Sequence, residues 1–439
     1  MFFKDNRKPV ESSWDLEAAP GLYLRVFSDR LSMAGGDTGD AIRKSLPESR
    51  RVDFSVLPEK ADAVRIDSDF VLTMFIDPSQ LDGIADKVLL ARQNGKAATL
   101  IIAISGTQLV SLGKWLDRRA SDGKLGGIRL ILAHDSVDVG EQLSKRLQHP
   151  TEANVIRMPV SPEIENTDYK NFFVFSPQLH RLAARIRGFT QNGISRAYLL
   201  GGPGSGKTSF AFYFWLMRNK GRFVSVNLAA ESTGDKAAIK SLLCGHVSGA
   251  FPGAGARTGA FLHARDGVCF IDESHGVTGP VMEVLMEALD NGQYLPFGAS
   301  AKQPIQCAIV FASNRSWEHL QSAVNLDEFT RMGAAILEVP ELHKREEDMI
   351  AVVATTLARL GQRCSTWTAP LGLSEAGWKA IRECRWHGNV RALVRVLEAA
   401  FVDTASSGGG ELIQADEIEH GIALWEPKAH HSHQIYAAA

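Results

Sequence analysis

Over the first third of the chain, apolar residues come in short unbroken runs at 23–27, 52–57, 70–76, 100–104, 128–132 and 155–160. Runs that do not alternate with polar residues are the pattern of strands covered on both faces. Helical periodicity lies between several of them, at 80–93 and 108–120. Strand–helix alternation of this kind predicts a doubly wound, mostly parallel sheet. A polar stretch rich in Asp and Glu follows at 162–170 and reads as a linker.

From Asn171 the pattern restarts. A leading helix is expected over 177–187, then a strand over 197–200 that runs into glycines. Further buried strands are expected over 223–226, 268–271 and 308–311. Residues 280–289 put Val281, Val284, Leu285 and Leu289 on one helical stripe. Beyond Glu341 the pattern turns helical, and the last stretch holds one plausible helix at 415–424. The domains expected are an N-terminal one over 1–162, a linker over 163–172, an α/β domain over 173–343, a small helical domain over 344–403 and a C-terminal tail over 404–439.

Composition narrows the partners. The 439 residues carry 48 Lys+Arg against 50 Asp+Glu, a formal charge of −2, so no whole-surface attraction to nucleic acid or acidic membrane is expected. Apolar residues at 45% and charged residues at 22% place the chain among ordinary globular proteins. No apolar run approaches the ~18 residues of a spanning helix. The charged start, Met-Phe-Phe-Lys-Asp-Asn-Arg-Lys, lacks the apolar region of a secretion signal, and a cytoplasmic location is expected. Five scattered cysteines, Cys244, Cys269, Cys307, Cys364 and Cys384, fit reduced thiols, mostly in the core.

Two motifs carry chemistry. Gly201-Gly202-Pro203-Gly204-Ser205-Gly206-Lys207-Thr208 matches G-x-x-x-x-G-K-[ST], after an expected strand and before an expected helix from Ser209 to Met217. Its glycines let backbone N–H groups converge on phosphate oxygens, and the helix N-terminus adds a favourable dipole. Lys207 suits the β- and γ-phosphates of ATP, and Thr208 suits Mg²⁺. The second motif, Val268-Cys269-Phe270-Ile271-Asp272-Glu273, is an apolar strand ending in two carboxylates. Asp272 suits the Mg²⁺ shell. Glu273 suits the base that orients or deprotonates an attacking water.

In these residues, and across 172–403, the chain resembles the AAA+ ATPases that activate sigma-54 RNA polymerase, the bacterial enhancer-binding proteins. The run Gly249-Ala250-Phe251-Pro252-Gly253-Ala254 is similar to the family's GAFTGA loop, which reaches from the ring to the sigma factor. Gly245-His246 before it and Ala264-Arg265-Asp266-Gly267 after it also match. The resemblance implies that Asn227 is the switch asparagine that holds the catalytic glutamate. It implies that Asn314, in Ala312-Ser313-Asn314, is a sensor near the γ-phosphate. Leu342 to Asp348 resembles the LRER-x-ED segment that leads into a helical lid. Trp386-His387-Gly388-Asn389-Val390-Arg391 is similar to the second sensor, making Arg391 a nucleotide contact from the lid. The fold implied is a Rossmann-like or receiver-like doubly wound domain, followed by an AAA+ P-loop domain with a small α-helical lid. The function implied is a cytoplasmic Mg²⁺-ATP hydrolase, assembling with itself into a ring, a hexamer being expected, that remodels sigma-54 RNA polymerase to regulate transcription.

The chain also departs from that family. Pro252 replaces the loop threonine, removing an N–H and a hydroxyl and fixing φ. Asn325 replaces the first of two arginines in the segment 324–332, while Arg331 retains the second. Arg331 is either the trans-acting arginine that completes a neighbour's site or a surface salt-bridge residue. Ala392 stands where a glutamate often follows the sensor arginine. The tail offers one helix where a helix-turn-helix needs at least two, so no direct DNA binding is expected, and the His430-His431-Ser432-His433 cluster reads as a disordered end rather than a metal site. In the N-terminal domain, Asp29 and Asp77 end strands as a receiver's acidic residues do. No acidic neighbour accompanies Asp29 and no lysine ends the fifth strand. A degenerate receiver or another ligand-sensing domain fits better than phosphorylation of Asp77. Two further classes stay in view: a remodeller of another protein target with a repurposed loop, and a regulatory protein that binds ATP without turnover. Intact Lys207, Asp272 and Glu273 argue against the last.

Overall fold

The computed structural model describes residues 23–28, 37–44, 46, 51–147, 155–157, 171–228, 236–273, 285–286, 288–315, 335–364, 367–408 and 410–426. The chain divides into two compact units, Met1–Asn154 and Val155–Ala439.

The first unit runs β1 (Tyr23–Ser28), α1 (Asp37–Lys44), β2 (Arg51–Val56), β3 (Phe70–Met74), α2 (Asp82–Gln93), β4 (Thr99–Ile104), α3 (Leu109–Ser121), β5 (Ile128–Leu132) and α4 (Ser136–Arg146). The strands form one parallel sheet in the order β2-β1-β3-β4-β5. This is the flavodoxin-like doubly wound order, with its reversal between β1 and β3. β3, β4 and β5 are buried along their whole length, as unbroken apolar runs require. β2 is the half-exposed edge. The link from β2 to β3 holds a single 3₁₀ turn, Ala61–Ala63, and no α-helix. α4 was not expected from periodicity; it starts where the Asp135 carboxylate accepts from the N–H groups of Val137 and Asp138.

The expected sixth strand belongs elsewhere. β6 (Val155–Arg157) pairs antiparallel with β7 (Asn171–Phe173) in the second unit and does not join the first sheet. An apolar run states that a strand needs cover, not which sheet supplies it. Asp29, which follows β1, lies outside the described residues.

The second unit continues with α5 (Pro177–Gln191), β8 (Arg196–Leu200), α6 (Lys207–Arg218), β9 (Phe223–Asn227), α7 (Lys236–Cys244), β10 (Gly245–His246), β11 (Arg257–Thr258), α8 (Ala260–His263), β12 (Val268–Asp272), β13 (Gln293–Tyr294), β14 (Gln303–Pro304), β15 (Ala308–Ser313) and β16 (Ala335–Glu338). Its main sheet is parallel, in the order β16-β8-β15-β12-β9. Alternate residues of β12 face opposite cores. Val268 and Phe270 pack with Phe210 and Phe212 of α6, while Cys269 and Ile271 pack with Leu243, Phe261 and Leu285. Period-two alternation with both faces apolar is what gives the unbroken run. Cys244, Cys269 and Cys307 are buried in this core. Burial pushes the Cys307 thiol up to about 11. Leu285, Ala288 and Leu289 are buried there, while Val281 and Val284 lie outside the described residues.

A helical subdomain follows: α9 (Glu346–Arg363), β17 (Gly372–Leu373), α10 (Glu375–Glu383), α11 (Asn389–Ser406), β18 (Leu412–Ile413) and α12 (Ala415–Trp425). It does not stop at 403. β18 pairs with β17, and α12 packs on α10 and α11. The His430–His433 cluster lies outside the described residues. Among the described residues, no helix is long and apolar enough to cross a membrane.

Candidate functional site

Parallel strands deliver their carboxyl ends to one edge, and the motif residues gather there. β8 ends at Leu200 and runs directly into Gly201, whose N–H donates to the Ser313 carbonyl at the end of β15 (3.2 Å). The turn from Gly201 to Gly206 closes with Lys207 as the first residue of α6. Gly204 has φ +70°, and a Cβ there would stand 2.5 Å from the Gly388 carbonyl oxygen and 2.9 Å from Arg391 Cβ. Only glycine allows both that backbone conformation and that close approach of the helical subdomain. Pro203 and Gly202 complete the turn. Ser205 is buried, and its Oγ has no hydrogen-bond partner among the described residues. Thr208 is exposed and Ser209 half-buried in the first turn of α6.

The Lys207 ammonium donates to the carbonyls of Gly201 (2.8 Å) and Gly202 (3.1 Å). Burial lowers its pKa; the charges of Asp272 and Glu273 work against that, and Arg391 works with it. Lys207, both carboxylates and Arg391 therefore share one electrostatic neighbourhood. Asp272 ends β12, in register with Asn227 at the end of β9. Its Oδ1 accepts from the Glu273 N–H (2.9 Å), and Glu273 itself has φ +50°. A glutamate in the left-handed region is strained, and such strain concentrates at functional sites. Asn314 follows β15, and its Oδ1 is buried with no hydrogen-bond partner among the described residues. Native interiors seldom leave such atoms unmatched. Arg391 sits exposed in the first turn of α11. Arg331 and Asn325 lie outside the described residues.

Three residues of the segments 342–348 and 386–391, to which the sequence assigns no role, hold this edge together. Asn389 is buried, with its side chain donating to the Pro203 carbonyl (3.0 Å) and accepting from the Leu342 N–H (2.9 Å). Arg345, also buried, donates to the Ser205 carbonyl (3.2 Å). Asp348 accepts from the Phe175 N–H (2.6 Å), the Ser176 N–H (3.3 Å) and the Ser176 hydroxyl, just ahead of α5. Burial pushes the Asp348 carboxyl up to about 6, against the opposing pull of Arg345 and these donors.

The loop 249–254 sits on the β10–β11 hairpin. The Gly249 N–H donates to the Ala254 carbonyl (3.0 Å), and the Ala254 N–H to that of Phe251 (3.0 Å). Gly249 and Gly253 have φ +76° and +78°, and nothing lies within 4 Å of a Cβ at either. Conformation, not space, calls for glycine there. Phe251 is 43% exposed, beside the exposed Pro252. Its ring is not bare. It meets His246 (centroids 4.9 Å apart) and Phe297 (6.2 Å). Phe297 comes from the neighbouring β13–β14 hairpin, whose backbone is tied on by Val247 N–H to Phe297 carbonyl (3.1 Å) and Phe297 N–H to Gly245 carbonyl (2.8 Å). Ala250 rests against Gly298.

A parallel sheet that ends in a glycine turn, a lysine and paired carboxylates, with a helical subdomain against the turn, defines a P-loop α/β domain with a lid. Residues 173–337 match the family model described as the Sigma-54 interaction domain. The nitric oxide reductase transcription regulator NorR1 of Cupriavidus necator is 32% identical over 248 residues, covering 53% of this chain and 46% of that protein. The Nif-specific regulatory protein of Herbaspirillum seropedicae is 30% identical over 230 residues, covering 51% and 41%. The chain thus spans about half the length of the curated relatives it matches. A crystal structure of NtrX from Brucella abortus in complex with ADP aligns over 95% of this chain and 89% of that one, with 16% identity and a TM-score of 0.49.

Proposed function

We propose that this chain is an ATP hydrolase that assembles into a ring, a hexamer, and uses the loop 249–254 to remodel sigma-54 RNA polymerase and so regulate transcription. The observation that carries the reading is the meeting of Lys207, Asp272, Glu273 and Arg391 at one sheet edge. The buried Ser205 hydroxyl at the same edge, which has no partner among the described residues, can donate to a phosphate oxygen. In domain terms, 1–154 is the sensory domain, 173–343 the ATPase domain and 344–403 the core of its lid.

Each side chain then has a task. Lys207 exchanges the carbonyls of Gly201 and Gly202 for the β- and γ-phosphates. Backbone N–H groups of Gly202 and of 204–208, at the start of α6, receive the remaining phosphate charge. Thr208 and Asp272 would hold Mg²⁺, which supplies positive charge against the transferring phosphoryl. Glu273 orients and deprotonates the attacking water, and Asn227, one strand over, restrains it until the nucleotide is in place. Asn314 reads the γ-phosphate, Arg391 reaches in from the lid, and Arg331 completes the site of the next subunit.

Output runs through Phe251. Its ring offers apolar surface held on two hairpins, and Pro252 stiffens the tip. Phe251→Ala should leave ATPase activity near wild type and abolish sigma-54 binding in the presence of an ATP transition-state analogue. A pull-down with the Glu273→Gln protein loaded with ATP tests the partner directly. Pro252 favours a second reading, a remodeller redirected to another protein target. Under that reading wild type does not capture sigma-54, and Pro252→Thr gains it. Equal capture by both proteins upholds the first reading.

A further inference from the structure

We propose that Asn389 and Glu426 are positioning residues of the nucleotide site, Asn389 by direct contact and Glu426 through the turn that carries it. The inference rests on the ATPase reading above for its kinetic consequence, and on the structure alone for its geometry.

The turn 386–389 is built to be held. Trp386 and Asn389 both have φ +50°, the left-handed region that asparagine tolerates better than most residues. Trp386 is fully buried, and its indole N–H donates to the Ile381 carbonyl (2.8 Å). The Asn389 N–H closes the turn on the Trp386 carbonyl (2.8 Å). One face of this turn meets the phosphate loop. The Asn389 amide donates to the Pro203 carbonyl (3.0 Å), and the Val390 N–H to the Gly204 carbonyl (3.3 Å). The same Asn389 side chain accepts from the Leu342 N–H (2.9 Å), where the chain enters the helical subdomain. One buried amide therefore ties the loop, the entry segment and the lid.

The other face of the turn meets the C-terminal helix. Glu426, immediately after α12, accepts from the N–H of His387 with one carboxylate oxygen and from the N–H of Gly388 (3.5 Å) with the other. These N–H groups precede α11, where a helix end leaves donors unsatisfied and favours negative charge. A residue in the expected tail thus sets the turn whose opposite side sets the phosphate loop. Gly388 is the common element: its N–H faces Glu426, and its carbonyl lies against Gly204.

The full chain tests this with Asn389→Asp, Glu426→Ala and Glu426→Gln. Asn389→Asp keeps an acceptor for Leu342 and a residue type that tolerates positive φ, but loses the donor to Pro203. His420→Ala is the control, because His420 ties α12 to Asp403 of α11 (3.0 Å) without approaching the turn. Expected are a rise in KM for ATP of about three- to tenfold in Asn389→Asp, the scale of one net hydrogen bond, a smaller rise in Glu426→Ala, partial recovery in Glu426→Gln, and no change in His420→Ala. Amide exchange across 201–209, measured without nucleotide, should quicken in the same order. Unchanged exchange and KM in both Asn389→Asp and Glu426→Ala overturn the inference, as does an equal effect of His420→Ala. Wild type that binds no ATP, with exchange still ordered as stated, overturns the ATPase reading and leaves the positioning geometry standing.

Discussion

The sheets β2-β1-β3-β4-β5 and β16-β8-β15-β12-β9 share a construction. Each has five parallel strands, central strands buried on both faces, and a carboxyl edge where loops gather. Their edges differ. In the first, Asp77 accepts from the Ser79 N–H (2.8 Å) and the Ser111 hydroxyl (2.9 Å), and Ser105 and Gln108 bond one another in a capping box. These side chains satisfy one another. In the second, Ser205 Oγ and Asn314 Oδ1 are buried without partners among the described residues, Lys207 leans on its own loop's carbonyls, and Glu273 holds a strained backbone. A parallel sheet only brings groups to an edge. Strain and unmatched atoms occur at both edges, since Phe75 after β3 has φ +53° and Gln142 Oε1, beside the end of β5, has no partner among the described residues; what sets the second edge apart is the gathering of Lys207, Asp272, Glu273 and Arg391.

The largest effects should follow from breaking the second edge. Arg331→Ala should retain ATP binding and lose hydrolysis by about 10³-fold, since a trans-acting arginine offsets charge that develops only during transfer. Mixing it with Glu273→Gln protein should restore activity at interfaces that pair intact copies of both residues; full activity of Arg331→Ala alone would show that it completes no site. Glu273→Gln should keep nucleotide affinity and lose turnover by about 10²–10⁴-fold, the range for a general base. Lys207→Ala should lose binding itself, read by a fluorescent nucleotide. Retained affinity in Lys207→Ala would remove the contrast between the two sheets.

The contacts around Arg345 and Asp348 sharpen the comparison through pH. The folded pKa of Asp348, about 6, lies above its ordinary 3.8 because burial disfavours the ionised carboxylate. Its contribution to stability is therefore fully present below about pH 4 and lost as pH rises through about 6. The loss is on the order of 3 kcal/mol, at 1.36 per pKa unit. Asp348→Asn, neutral at every pH, should melt near wild type below about pH 4 and lose less stability than wild type as pH rises through about 6. It should also remove this slope from the wild-type profile. Parallel profiles for the two proteins would show that Asp348 does not titrate there.

Much of this was legible in the sequence where the signal is local. The turn 201–208, the strand into Asp272-Glu273 and the doubly wound pattern each lie within a few dozen residues and obey period and spacing rules. The misplacement of 155–160 shows the limit, because periodicity does not assign a strand to a sheet. Asn389, Arg345 and Asp348 escaped for another reason. Their contacts join Pro203 to 389, Ser205 to 345 and Ser176 to 348, so no window along the chain contains both partners. Glu426 was hidden in a tail read as separate from the lid. The cover on Phe251 was missed likewise, because Phe297 comes from a different hairpin.

The smallest predicted effect belongs to the first edge, and it is the one that can overturn the contrast. Burial pushes the Asp77 carboxyl up, but the hydrogen bonds from Ser79 and Ser111 outweigh this and hold it below its ordinary value. Its contribution to stability is thus present at neutral pH and lost as the solution is acidified. Asp77→Ala removes the cap and should cost the first unit about 1 kcal/mol, seen as a lower melting temperature with ATPase activity unchanged. Asp77→Asn keeps an oxygen for the Ser79 N–H and the Ser111 hydroxyl, so its melting temperature should stay near wild type. Asparagine cannot accept a phosphoryl group as a carboxylate does. If Asp77→Asn is as stable as wild type yet shifts the ATPase rate or its response to an acyl-phosphate donor, the first edge is a working site. Asp77 would then be a phosphoacceptor that also serves as a cap. If only Asp77→Ala has an effect, and that effect is thermal, Asp77 is structural and the two sheets divide scaffold from chemistry as their edges imply.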